Sequence, residues 1–163
     1  MKRIFCCLLA ALCLTSLLAG CSQNPVRGPK NTGEKKTAAQ LLGATDDELV
    51  AQRGEGEVQD YAYQGSRLIQ QRKYQEELFG LSAQVEYLYS DDQHIQQIVG
   101  TFPDTDKEAV VEAITQFLGE PKELQTESEE LDFMARWEQD GIVYIVRRIP
   151  DSVAYVLMEK LNV

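Results

Sequence analysis

Apolar and polar positions in residues 41–163 change period repeatedly along the chain. Two segments begin with T-x-x-E, at Thr45 and Thr105, which is typical of the capping box that opens a helix. In this motif the threonine hydroxyl accepts a backbone N–H, and the glutamate accepts the N–H of the cap residue. Gly54 and Gly119 mark where the two predicted helices end. The second helix also carries apolar side chains at helical spacing along one face.

After each helix the apolar period becomes two, which predicts β-strands. The alternation is clearest at residues 84–89 and 131–137. Asp140 and Gly141 form a dipeptide that is typical of a two-residue hairpin turn. Residues 66–79 fit either a helix or a strand, and we assign them to a strand. Further strands are predicted at residues 95–102, 142–149 and 153–158.

These elements predict an α+β fold: two units, each a helix followed by antiparallel strands, with the helices packed on a sheet. The two capping motifs lie 60 residues apart, so residues 41–102 and 103–163 are candidate repeats within one globular domain, 41–163. One face of such a sheet meets the helices, and the other face stays open.

The chain opens with a segment typical of a secretory signal peptide, which we assign to residues 1–20. Lys2 and Arg3 precede an uncharged apolar run at residues 4–18 that is short for a membrane-spanning helix. The tetrad L-A-G-C that ends at Cys21 resembles a bacterial lipobox. The resemblance implies that Cys21 receives a diacylglyceryl thioether and that its new amino group is acylated, for example with palmitate. The alternative is an ordinary cleaved leader that leaves Cys21 as a free thiol.

Residues 21–40 are predicted to be the lipidated cysteine and a flexible tether. The segment is rich in proline and glycine, and Val26 is its only large apolar residue. It therefore cannot bury enough surface to offset the entropy of ordering. As a flexible coil it reaches roughly 25 Å. These features predict a body held at the extracytoplasmic face of the cell membrane, and Ser22 would permit sorting to an outer membrane.

Charge and composition argue against several functions. The formal charge is −10, and residues 41–163 carry 10 basic and 25 acidic side chains, whereas a nucleic-acid binder needs a basic surface. All four cysteines lie in the first 21 residues, and His94 is the single histidine. The body therefore has no cysteine nucleophile and no two-histidine metal site, and we predict no cofactor.

Few side chains in the body are candidates for catalysis or metal binding. His94 follows an acidic turn at residues 91–92 that could orient it, but no G-x-S-x-G motif is present. We therefore interpret it as an exposed loop histidine. The carboxylates of Asp104, Asp106 and Glu108 could hold Ca²⁺, but the same acids suit a helix N-terminus, and we prefer the capping interpretation.

Three segments of the body resemble known families. Residues 43–49 read G-A-T-D-D-E-L and precede Gly54, and residues 108–121 end in G-E-P. With the strand and turn at residues 79–92, they resemble the small outer-membrane assembly lipoproteins and the β-lactamase-inhibitor-like repeat families. Leu49 stands where those families usually have valine, and the inhibitors' disulfides are missing. The resemblance implies helices on an antiparallel sheet whose open face or loops bind another protein, and it supplies no catalytic residue.

A partner-binding surface can be assigned by alternation. Because Trp137 is expected to turn inward, Met134 and Arg136 should lie on the outward face of the same strand. On the following strand Arg147 and Arg148 lie on opposite faces, so one of them should join this surface. We assign Arg148, Met134 and Arg136 to the partner-binding surface.

Taken together, the sequence predicts a lipid-anchored cell-envelope protein that acts as a non-catalytic protein-binding or assembly module. Its expected partners are the membrane, through the lipid on Cys21, and an envelope protein. One alternative is a lipoprotein that senses a cation or a small ligand with its acidic surface. Another is a small hydrolase built from carboxylates and tyrosines.

Overall fold

A computed structural model describes residues 35–126, 133–148 and 153–161 of the chain. The predicted signal peptide, Cys21 and the first part of the predicted tether lie outside these ranges. The described residues form one short 3-10 turn, two α-helices and eight strands. The elements are the 3-10 turn Ala39–Leu41, α1 Asp46–Arg53, β1 Glu57–Tyr63, β2 Ser66–Leu78, β3 Leu81–Tyr89, β4 Ile95–Phe102, α2 Lys107–Leu118, β5 Glu123–Gln125, β6 Phe133–Gln139, β7 Ile142–Arg148 and β8 Ala154–Lys160.

All eight strands join one antiparallel sheet in the order β1-β2-β3-β4-β8-β7-β6-β5. The predicted α+β fold of two helix-then-strand units packed on a sheet is therefore wrong, because the fold is β-rich. Two strands, β1 and β5, were not recognised in the sequence, and the pairing of β4 with β8 makes the sheet continuous. The two helices have only 8 and 12 residues, too few to form a layer over eight strands.

Helix boundaries depend on their caps. At α1 the predicted capping box is confirmed, since the Thr45 hydroxyl accepts the N–H of Glu48 and Glu48 accepts the N–H of Thr45. At α2 the cap is Asp106 rather than the predicted Thr105: the Asp106 carboxylate accepts the N–H of Ala109 at 2.8 Å. Within the described ranges, no helix is both long enough and apolar enough to cross a bilayer.

The hydrophobic core lies on the sheet face that carries both helices. Helix α1 contributes Leu49, and α2 contributes Val110 and Ile114, all fully buried. Cross-strand pairing aligns a row of buried sheet residues beneath them, from β3 to β6. The members of this row are Tyr87, Ile98, Met158, Tyr144 and Trp137.

The folded body begins before residue 41. Ala38 is buried and packs in the core cluster, although residues 21–40 were predicted to be a tether. The carbonyl oxygen of Lys36 accepts a hydrogen bond from Arg53 at 2.6 Å, and its N–H donates to Gln52. Residues 36–40 therefore belong to the body rather than to the tether.

Candidate functional site

The sheet face opposite the helices forms the first candidate surface. Its central side chains are Val99, Leu157 and Ile145, which are direct cross-strand neighbours on β4, β8 and β7. Each is partly exposed, and none belongs to the core cluster on the helix side. Val143 lies on the same face and is also outside that cluster. We call this surface the open face, since no described helix covers it.

Ion pairs flank the apolar centre of the open face. Lys73 contacts Glu86 at 2.7 Å on one side, and Arg136 contacts Glu123 at 2.9 Å on the other. The hydrogen bond from Lys73 to Glu86 raises the pKa of Lys73 despite some burial. Arg136 also pairs with Glu138. The open face therefore presents a short apolar strip between two charge-neutralised ends, which suits a polar-rimmed protein interface.

Two of the three residues predicted to bind a partner lie on the open face. Arg136 and Met134 alternate with the buried Trp137, as expected from the period of the strand. The predicted placement of Arg148 on this face is wrong, because Arg148 pairs in register with Phe133 and so lies on the helix side, near the N-terminus of α2. Arg147, which pairs with Met134, is the arginine that joins the open face.

On the helix side, a buried arginine fixes the start of α1. Arg72 donates to both carboxylate oxygens of Asp46, at 2.8 and 2.6 Å. The Tyr89 hydroxyl donates to the same carboxylate at 2.6 Å. Burial opposes ionisation of Asp46, but these hydrogen bonds and the charge of Arg72 outweigh it and lower the pKa of Asp46. The network is saturated, and we interpret it as structural.

A second buried arginine fixes the end of α1. Arg53 Nε donates to Glu76 at 2.9 Å, and the Tyr87 hydroxyl donates to the other oxygen of Glu76 at 2.8 Å. Burial, followed by the charge of Glu76, raises the pKa of Tyr87 well above its ordinary value, so the hydroxyl remains a donor. Arg53 Nη2 donates to the Lys36 carbonyl. Arg53 Nη1, however, has no hydrogen-bond partner in the described part of the chain.

Arg53 lines a cavity of about 730 Å³. It opens between the ends of both helices and the β2–β3 turn, on the helix side of the sheet. Three aromatic rings form one wall: Phe79 lies 5.9 Å from Phe117 and 6.2 Å from Tyr144, edge to face in both pairs. Lys36 also lines the pocket. The pocket has the size and the mixed lining of a small-molecule site.

The other candidate groups do not converge on a site. The His94 side chain is about half exposed, and its Nδ1 lies 2.9 Å from the carbonyl oxygen of Asp92. Asp106 serves as the α2 cap. Across residues 35–126, 133–148 and 153–161, no group of three or more histidine, cysteine or acidic residues is arranged to hold a metal ion.

Sequence reasoning missed the pocket because its residues come from six separate stretches of the chain, between residues 35 and 158. The one local sign was Phe79, which precedes Gly80 between two strands. Phe79 has a positive φ of 53°, in the left-handed region that a bulky side chain rarely adopts. Such positions concentrate at functional sites, and in a two-residue hairpin turn the residue there is usually asparagine, aspartate or glycine.

Comparisons with known proteins assign no family. No protein-family model matches the chain, and no curated protein matches it. Among solved structures, the chain is similar to the crystal structure of a DUF4309 family protein (YjgB) from Bacillus subtilis subsp. subtilis str. 168. The two share 13% sequence identity with a TM-score of 0.47, over 78% of this chain and 86% of that one. A likeness of this degree carries no conclusion about function, and the expected likeness to outer-membrane assembly lipoproteins stays a prediction.

Proposed function

We propose that this protein is a lipid-anchored, non-catalytic binding module of the cell envelope, and that a protein partner docks on its open face. Membrane attachment is supported by the lipobox that ends at Cys21 and by the leader that precedes it. A docking role is supported by the geometry of the sheet, which buries one face under the helices and leaves the other without a described covering element.

The observation that carries the docking role is the central row of the open face. Val99, Leu157 and Ile145 lie side by side on adjacent strands, and charged pairs close both ends of the row. Surface side chains of a monomer need no such grouping, whereas an apolar centre with a charged rim is the usual composition of an interface.

The charge of the body favours one kind of partner. Residues 41–163 carry a formal charge of −15, which repels anionic proteins and speeds encounter with basic ones. We therefore expect a partner whose contact region is apolar at its centre and basic at its edge. Its association rate should fall as salt is added.

Capture from detergent-solubilised envelopes of the host tests the docking role. Ile145→Lys places a charge in the apolar centre, so the full-length variant should lose the partner that the unaltered protein retains. Leu124→Lys is the matched control, because Leu124 is 59% exposed but pairs with Ala135 on the helix side of edge strand β5. Equal capture by both variants would reject the open face as the docking surface.

Metabolic labelling tests the anchor. Labelled fatty acid should enter the protein in its host, and Cys21→Ser should release the chain from the membrane fraction without label. Label that persists in the Cys21→Ser variant would show that Cys21 is not the lipidated residue.

A further inference from the structure

We propose that the open face also binds the open face of a second copy of this chain, so that two chains form a two-fold symmetric dimer. The inference depends on one row of side chains that crosses the open face from β2 to β5. Strand register places Lys73 and Glu86 at one end of this row and Arg136 and Glu123 at the other. The three apolar side chains of the central row lie between them.

The order of charges along this row is what permits self-association. From β2 to β5 the row is positive, negative, apolar at three positions, positive and negative. When a second copy lies over it in the reverse order, Lys73 faces Glu123 of that copy, and Glu86 faces its Arg136. Opposite charges then meet at both ends of the apolar centre. If only one of the two ion pairs pointed the other way, the same reversal would bring like charges together.

A two-fold axis that runs along β8 in the plane of contact produces this reversal. The axis stacks Leu157 on its own copy and places Val99 against Ile145 of the second chain. It also keeps the strands of the two sheets aligned, as in the common packing of one sheet on another. The interface is isologous, so each charge contact occurs twice. Glu86 and Arg136 lie four strand spacings apart, roughly 19 Å, on either side of the apolar centre.

The ion pairs within each chain prepare the row for this contact. Lys73 lies 2.7 Å from Glu86, and Arg136 lies 2.9 Å from Glu123, so the charged groups are already held in place before association. In the dimer each pair stacks on an oppositely directed pair, which gives a network of four alternating charges. A network contributes more than an isolated exposed pair. It acts at short range and, with burial of the apolar centre, opposes the repulsion between two bodies of formal charge −15.

The same symmetry creates one unfavourable contact that can be tested. Glu159 lies two residues beyond Leu157 on β8, on the same face of the strand, and it accepts a hydrogen bond from Gln97. Because the axis runs along β8, Glu159 faces its own copy. The dimer therefore predicts that neutralising this carboxylate strengthens association, whereas neutralising a carboxylate on the helix side does not.

Two charge-reversed variants test the dimer by complementation. Glu86→Lys would face Arg136 of an identical copy, and Arg136→Glu would face Glu86, so each variant alone should dimerise about tenfold more weakly than the unaltered protein. An equimolar mixture of the two should dimerise about as tightly as the unaltered protein, because the new lysine of one variant faces the new glutamate of the other. Both substitutions break an ion pair within their own chain, so recovery on mixing can come only from contact between chains.

Sedimentation equilibrium of the mature, lipid-anchored protein measures these dissociation constants, in a detergent whose density the solvent matches. An unaltered protein that stays monomeric at all concentrations, or a mixture that associates as weakly as its two components, would overturn the proposal. The dimer and the proposed function fail separately. A monomeric protein that still captures an envelope partner would reject the dimer alone, and a dimer that captures no partner would reject the docking role alone.

Glu159→Gln gives a second test that does not depend on the charge-reversed variants. Removing the carboxylate that faces its own copy should tighten the dimer by about threefold, and glutamine can still accept from Gln97. Glu112→Gln is the matched control, since it removes the same charge from an exposed position of α2 on the helix side. Equal dissociation constants for the two variants would show that Glu159 does not lie on the axis, and the proposed arrangement would be wrong.

Discussion

At the scale of single residues, two arginines on strand β2 have opposite environments. Arg72 is buried and donates to both oxygens of Asp46, whereas the side chain of Arg67 is 72% exposed beside Asp60. Removing one partner of a buried pair leaves an uncompensated charge, but removing one partner of an exposed pair changes little. The two residues therefore form a matched pair for measuring what burial contributes.

We expect Arg72→Ala to lower the free energy of unfolding by about 3–5 kcal/mol, because it leaves the Asp46 carboxylate without its main partner. Arg67→Ala should change it by about 0–1 kcal/mol. Urea denaturation of both variants measures the difference. Similar small losses in the two variants would show that α1 is held by apolar contacts rather than by Arg72.

The same carboxylate predicts a pH dependence. Burial opposes the ionisation of Asp46, but its hydrogen bonds from Arg72 and Tyr89 prevail and lower its pKa. The stabilisation is therefore fully present above the ordinary aspartate pKa of about 3.9 and is lost as the pH falls through the lowered folded-state value.

Urea midpoints measured at descending pH below about 4 should fall more steeply in the unaltered protein than in Asp46→Asn, which has no proton to gain at this site. Asp91→Asn, in an exposed turn, should keep the steep profile. If Asp46→Asn falls as steeply as the unaltered protein, carboxylates elsewhere control acid unfolding.

At the scale of elements, alternation predicted most strands but not the ones at the sheet edges. Strands β3 and β6 carry buried side chains at every second position, β4 does so from Ile98 onward, and this period is visible in the sequence. Strand β1 is exposed at nearly every position, and β5 has only three residues, so neither leaves an apolar pattern. An edge strand forms through backbone hydrogen bonds to its neighbouring strand, and these bonds leave no pattern in the sequence.

Composition alone also could not locate the residue at which the folded body begins. Its polar and glycine-rich composition predicted a tether through residue 40, yet Ala38 is buried and the Lys36 carbonyl accepts from Arg53. A single small buried side chain and a backbone acceptor are invisible to a measure of composition. The boundary of the body therefore depends on contacts with α1 that only the fold creates.

Truncation tests that boundary. A chain that begins at Leu41 loses the Lys36 acceptor and should unfold at a lower urea concentration than one that begins at Asn31. The expected loss in free energy of unfolding is about 1.5–3 kcal/mol, the contribution of a hydrogen bond to a charged group. The chain from Asn31 keeps the whole compact unit and should match the full-length protein. Equal urea midpoints for both truncated chains would show that residues 31–40 belong to the tether and do not stabilise the body.

At the scale of the whole molecule, the pairing of strands explains what could be predicted of each candidate site. Met134 and Arg136 could be placed on the open face because alternation within one strand is local. Arg148 could not, because residues 142–146 of its strand are all apolar and show no alternation that would mark the inward face. The pocket was even harder to predict, because Arg53 and Phe79 line the same cavity only after α1 packs on β2.

The two faces of the sheet can be compared at adjacent positions of β7. Val146 is fully buried in the core on the helix side, whereas Ile145 is partly exposed at the centre of the open face. A lysine at residue 146 would bury an unpaired charge, so Val146→Lys should abolish cooperative unfolding or lower stability by several kcal/mol. Ile145→Lys can extend its ammonium group into water, so we expect a loss below about 1.5 kcal/mol.

Thermal and urea unfolding of both variants gives the comparison, and Ile145→Lys must pass it before its loss of partner capture counts as evidence for docking. If Ile145→Lys unfolds as readily as Val146→Lys, another part of the chain already covers the open face, and a partner protein cannot dock there.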